Sequence, residues 1–83
     1  MNAGYELILK RLHDHLQRIA GPKVHIEDDL EIVRQLGLDS IKVLDLIMEI
    51  EDEFDVSVPM NVLADVRTVR DLATAIHSLK QNP

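Results

Sequence analysis

Apolar positions along the chain recur mainly at spacings of three and four, the period of a helix with one buried face. In the first segment Tyr5, Ile8, Leu9, Leu12, Leu16 and Ile19 form one such stripe. They predict a helix over about 4–20, ended by Gly21-Pro22. Residues 21–39 lose the period, so a long loop follows, which Val24, Ile26, Leu30, Ile32, Val33, Leu36 and Leu38 are placed to pin across the molecule. A short helical turn is expected within 29–35, and Gly37 permits a backbone turn after it.

The helical period returns at Ser40 and predicts a second long helix over about 40–54, capped by Asp39 or Ser40. Pro59 suits the first position of a short third helix over 59–65. A fourth helix over 68–80 carries Val69, Leu72, Ala73, Ile76 and Leu79 as its stripe. Thr68 caps it, and Asp71 lies at the capping-box spacing. The tail Gln81-Asn82-Pro83 is expected to fray. The pattern gives an all-α protein: a four-helix bundle of three longer helices and one short third helix, with a long loop between the first two.

The second helix has more apolar residues than one buried face requires. At about 100° per residue, with Ile41 at zero, Val43, Leu46, Ile47, Ile50 and Phe54 gather near roughly 200°. Ile41, Leu44 and Met48 gather on the opposite side, near roughly −25°. Asp45, Asp52 and Asp55 share that second side and Glu51 lies at its edge; from Asp45 to Asp55 there are six acids and no base. An apolar strip rimmed by carboxylates reads as a docking surface, because unpaired carboxylates are rarely buried. The alternative is that the strip packs under the long loop or against the third helix. Ser40 is read as an attachment point beside it. A serine at a helix start is most simply a cap, but free backbone N–H groups and the positive end of the helix dipole also suit a phosphodiester there.

Composition narrows the field. The 83 residues suit one domain spanning 1–83. A net charge of −6 and only two aromatics, Tyr5 and Phe54, argue against nucleic acid and for partners with basic patches. There is no cysteine, hence no disulfide or thiolate metal site, which fits a reducing compartment. Met1-Asn2-Ala3-Gly4 opens no signal peptide, and no apolar run approaches a membrane span, so a cytoplasmic monomer is expected. No catalytic constellation is present: there is no Gly-x-Ser-x-Gly elbow, cysteine nucleophile or Gly-rich phosphate loop. His13, His15, His25 and His77 are read as solvated surface residues. Glu27-Asp28-Asp29 with Glu31 lacks the glycine and distal glutamate of a calcium loop, so no metal is expected.

Leu36-Gly37-Leu38-Asp39-Ser40-Ile41, the acidic helix ending Glu51-Asp52-Glu53-Phe54-Asp55, then Val58-Pro59 and Thr68-Val69 resemble an acyl carrier protein over essentially the whole chain. The resemblance implies a carrier and not an enzyme. A phosphopantetheinyl transferase would move 4′-phosphopantetheine from coenzyme A onto Ser40, with Asp39 completing the attachment motif. Acyl-loading and acyl-transferring enzymes with basic patches would grip Ile41, Leu44, Asp45, Met48, Glu51 and Asp52. The pathway implied is fatty-acid, lipid or polyketide-type biosynthesis. The resemblance also suggests an acyl pocket lined by Leu46, Ile50, Val58, Leu63, Val66 and Leu72, for which plain core is the simpler reading.

The chain departs from the fatty-acid type at several places. Ile41 replaces the motif leucine, Lys42 and Arg34-Gln35 stand where acids are usual, and Met60 to Ala64 of the third helix lack acids. A general carrier and a carrier dedicated to one pathway both remain open. So do an aminoacyl or peptidyl carrier of the D-alanyl type and, from another class, a helical adaptor without a prosthetic group.

Overall fold

The computed structural model describes residues 3–81, and of Ala3 and Ser40 the backbone alone. Asn82 and Pro83, which the sequence places in a frayed tail, lie outside the described residues. Five helices follow in order: α1 Ala3–Ala20, α2 Ile32–Leu36, α3 Ser40–Phe54, α4 Met60–Leu63 and α5 Val69–Gln81. The fold is the all-α bundle expected, three longer helices with a short one before the last. The helical turn within the long loop is α2, which begins later than the 29–35 window and ends one residue after it.

The stripes read from the period face one core. Ile8, Leu12 and Leu16 of α1 meet Leu46, Ile47, Ile50 and Phe54 of α3 and Val69, Leu72, Ala73 and Ile76 of α5 in one buried cluster. Fully burying a leucine contributes about 1.5–3 kcal/mol. Leu12, Leu16 and Leu72 are among the largest fully buried side chains, so they anchor the bundle. Tyr5 of α1 meets His77 of α5 edge to face, ring centroids 5.9 Å apart.

The loop after α1 is held by polar bonds as much as by apolar ones. The Gln17 side chain donates to the carbonyls of Gly21 and Val24 at 2.7 and 2.6 Å. Ile26, Leu30, Ile32 and Leu38 are buried, and Val24 and Leu36 half-buried. Val33 was expected to help pin the loop but is exposed, because it lies on the outer side of α2, away from Ile32. Glu31 and Thr68 form an isolated antiparallel bridge. Around it the Ile32 N–H donates to the Arg67 carbonyl at 2.9 Å, and the Val69 N–H to the Leu30 carbonyl at 3.1 Å. The Arg70 N–H reaches the Asp28 carbonyl at 2.9 Å. This clamp is why a long loop remains ordered. Gly37 closes α2 at φ 63°, the left-handed region that glycine enters without penalty.

The termini of the other helices correct the sequence reading by a residue or two. Pro59 precedes α4 in extended conformation instead of opening it, and α4 stops at Leu63 and not at 65. Thr68 stands before α5 as its cap, so the helix runs from Val69 to Gln81 instead of 68 to 80. The capping box is closed in both directions. The Asp71 N–H donates to Thr68 Oγ1 at 3.1 Å, while Asp71 Oδ2 accepts from Thr68 N–H at 3.1 Å and Arg67 N–H at 3.2 Å. α3 ends at Asp55, whose φ of 55° is left-handed, a conformation aspartate tolerates better than most residues. From α5, Lys80 Nζ donates to the Phe54 carbonyl at 3.0 Å and satisfies that end.

The Thr68 N–H, then the Arg67 N–H, hold the Asp71 carboxyl below its ordinary value of 3.8. A lowered folded pKa means the stabilisation is full above the unfolded value and fades as pH falls through the folded one. Thr68→Ala should therefore cost about 1 kcal/mol at neutral pH in urea melts. Asp71→Asn should lose more stability at pH 7 than at a pH low enough to protonate the wild-type carboxylate.

Candidate functional site: the Ser40 corner and the outer face of α3

The site begins at a cap. Asp39 lies in extended conformation, φ −86° and ψ 175°, and its Oδ1 accepts the Lys42 N–H at 2.9 Å. Its carbonyl accepts the Val43 N–H at 3.0 Å. Of the two residues that could cap α3, Asp39 does so, and Ser40 is the first helical residue. The Ser40 side chain, named from the sequence as the attachment point, lies outside the described residues. Its backbone is at the start of the helix, where the first N–H groups are directed outward. Gly37 and Asp39 before it and Ile41 and Lys42 after it are exposed, so the corner faces solvent.

Beyond the corner, α3 divides as its period implies. Leu46, Ile47, Ile50 and Phe54 are buried and Val43 half-buried. On the outer side Ile41 is 71%, Leu44 48% and Met48 65% exposed. The strip is therefore not packed under the loop or against α4. Asp45 and Asp52 are exposed beside it. Glu51 differs: its Oε2 accepts the Val58 N–H at 2.8 Å and ties α3 to the segment before α4. Of the supposed pocket residues, Leu46, Ile50, Val58 and Leu72 are buried in the common core, with Leu63 and Val66 half-buried against it, which is the plain-core arrangement.

A charged lattice on the α1 side of α3 is a feature that sequence reasoning missed. His15, read as solvated, has only 12% of its side chain exposed. Arg18 donates to its Nδ1 at 2.8 Å, and its Nε2 lies 2.5 Å from Glu53 Oε1. Guanidinium has no acceptor, so this suits the imidazole tautomer with its proton on Nε2, donated to Glu53. Arg18 also binds Glu49 at 2.9 Å, and Arg11 Nε lies 3.4 Å from Glu53. His13 is likewise engaged, 2.9 Å from Asp28 of the loop. The only sequence signal was the spacing of Arg11, His15 and Arg18 on one side of α1; their partners depend on helix register. Near Ser40, Arg34 pairs with Glu31 at 3.1 Å. Among the described residues no group of acids and histidines is arranged to hold a metal ion. Nor is any helix long and apolar enough to cross a membrane.

Comparison with known proteins places the chain in a family. Residues 10–76 match the family described as phosphopantetheine attachment site. The "Probable acyl carrier protein" of Caulobacter vibrioides is 34% identical over 80 residues, covering 96% of this chain and 93% of that one. The acyl carrier protein of Campylobacter hominis is 30% identical over 57 residues, 69% of this chain and 72% of that one. A solved structure of a Mycobacterium tuberculosis chain assigned as an acyl carrier protein superposes with a TM-score of 0.76. It is 31% identical and covers 86% of this chain and 96% of its own. The chain belongs to the acyl carrier protein family, whose members are carriers modified by phosphopantetheinyl transferases and not enzymes. Its prosthetic group is covalently attached 4′-phosphopantetheine. An adaptor without a prosthetic group does not match that membership.

The arrangement fits such a group. The cap is already supplied by Asp39, the next residue opens the helix into solvent, and the neighbouring side chains are exposed. When bound, the group supplies a thiol on a flexible arm that carries acyl groups as thioesters. Glu51 and Asp45 should separate on mutation. Glu51→Ala strands the Val58 N–H and should cost about 1–2 kcal/mol in chemical denaturation. Asp45→Ala should stay within about 0.5 kcal/mol of wild type.

Proposed function

We propose that this chain is an acyl carrier dedicated to one biosynthetic pathway of the fatty-acid, lipid or polyketide type, with 4′-phosphopantetheine joined to Ser40. The observation that carries this reading is that Asp39 fills the capping role at α3. A serine at the first helical position therefore needs another reason to be there, and a phosphodiester at a helix start is favoured by the dipole. Asp39 holds the turn and Ser40 supplies the hydroxyl oxygen that attacks the pantetheine-bearing phosphorus of coenzyme A in the transferase, where the pyrophosphate P–O bond breaks, adenosine 3′,5′-bisphosphate leaves and the serine proton passes to the transferase. Ile41, Leu44 and Met48 form the apolar strip on which partner enzymes dock, and Asp45, Asp52 and the free oxygen of Glu51 meet their bases. The dedicated character is supported by Lys42 and Arg34, exposed on either side of the serine, and by α4, which carries no acid in its first turn. That α4 feature also suits an aminoacyl or peptidyl carrier. The protein acts as a monomeric single domain in the cytoplasm.

Two measurements test this. Incubation with coenzyme A and a broad-specificity transferase should add the mass of one phosphopantetheine, and Ser40→Ala should abolish the gain. No gain on the wild-type chain would remove the carrier reading. In the loaded protein, Asp45→Lys with Asp52→Lys should slow partner turnover about tenfold or more while the thermal melt stays within a few degrees. Loading by candidate acyl and aminoacyl ligases separates the two carrier types.

A further inference from the structure

The lattice between α1 and α3 divides the acids of α3 into two sets. Glu49 and Glu53 lie on the flank that turns toward α1. There Arg18 binds Glu49 at 2.9 Å, Arg11 sits 3.4 Å from Glu53, and His15 lies 2.5 Å from Glu53. Glu51 is committed to the Val58 N–H. Asp45, Asp52 and Asp55 are the exposed acids on the side of the apolar strip, and among the described residues none of them forms an ion pair. The flank also contains Asp14, which shares a shallow depression with Arg11, His15, Arg18 and Glu53, and Lys42, two turns before Glu49 on the same side of α3. Arg11, Arg18 and Lys42 offset Asp14, Glu49 and Glu53, so the flank carries no net charge with His15 neutral. The outer line keeps Asp45, Asp52 and Asp55 with no cation paired to them, and Glu51, whose partner is a neutral N–H; Asp45 and Asp52 are separated along the helix by about 10 Å.

We propose that Arg11, His15 and Arg18 act as a charge filter on partner choice by withdrawing Glu49 and Glu53 from docking. The surface that remains fits an enzyme with a narrow row of bases spaced to meet Asp45 and Asp52. A partner whose basic patch extends over the α1 flank meets paired carboxylates and exposed guanidinium groups there and gains nothing from its extra charge. The filter works against the attraction that an unpaired five-acid helix would offer to any basic surface. It rests on the carrier reading and on α3 as the docking face.

The test uses the apo protein, coenzyme A and a broad-specificity transferase with a basic docking face, and reads kcat and KM for the carrier separately. Glu49→Gln with Glu53→Gln leaves Arg11 and Arg18 without their partners and should raise KM, because the flank then presents two uncompensated bases to a basic partner. Arg11→Gln with Arg18→Gln should lower KM about threefold or more with kcat unchanged, since two carboxylates are released to the partner. The gain should disappear when all four substitutions are combined and shrink as salt is raised. Both double variants break the same interhelical bonds, so a purely structural role would move KM in one direction for both. The filter is overturned if the four substitutions together raise KM as much as Asp45→Asn with Asp52→Asn, or if removing the arginines leaves KM unchanged or raises it. A wild-type chain that gains no phosphopantetheine in an intact mass would remove the carrier reading, and the filter with it. Loading that proceeds with the wrong KM pattern removes the filter alone.

Discussion

The structure depends on a backbone clamp between the long loop and the start of α5. Ile32 N–H to the Arg67 carbonyl and Val69 N–H to the Leu30 carbonyl join two segments that are far apart in sequence. Without those bonds the residues between α1 and α3 would have polar backbone groups near the core with no partner, at a cost of about 1–3 kcal/mol for each group left unsatisfied. With them, Leu30 and Ile32 reach the core, α2 forms, and the left-handed turn at Gly37 delivers Asp39 to the start of α3. The position of the Ser40 corner is therefore set by a contact on another part of the molecule. The capping box of Thr68 and Asp71 closes beside the same clamp and stiffens the strand-like pairing of Glu31 with Thr68.

α3 is built to serve two surfaces at once. A helix that only filled the core would be polar outside. Here a second apolar line is exposed, and carboxylates keep it soluble while giving it a sign. The acids are not equivalent. Some hold the fold, as Glu51 does at Val58 and as Glu49 and Glu53 do at α1. The remainder stay available to whatever approaches. Counting charges along the helix would overstate its attraction to a basic surface, because paired carboxylates have already given up part of their field.

Features governed by local chemistry could be read from the residues alone. Spacings of three and four locate α1, α3 and α5, the glycine at 37 marks the turn, and Thr68 with Asp71 marks the cap of α5. The two-sided wheel of α3 separates Leu46 and Ile50, which are buried, from Ile41 and Met48, which are not. What was not legible depends on how elements sit against each other. His15 looks solvated in one dimension and is nearly enclosed in three, because α3 brings Glu53 and Glu49 over it. Val33 looks like a loop anchor but lies about 100° round the short helix from buried Ile32, on the side that faces solvent. The Glu31–Thr68 pairing and the Glu51–Val58 bond carry no periodic signal at all.

The packing of the first helix against the last also bears on how the molecule comes into being. Leu12 and Leu16 are fully buried only when Val69, Leu72 and Ile76 arrive, and Tyr5 waits for His77. These contacts span most of the chain, so the entropy of closing that long loop must be met before they stabilise anything. On the ribosome α1 can pack on α3 but cannot complete its buried face until α5 has emerged. The bundle is thus completed late, and an unfinished chain lacks the last wall of the core against which α1 and α3 are set.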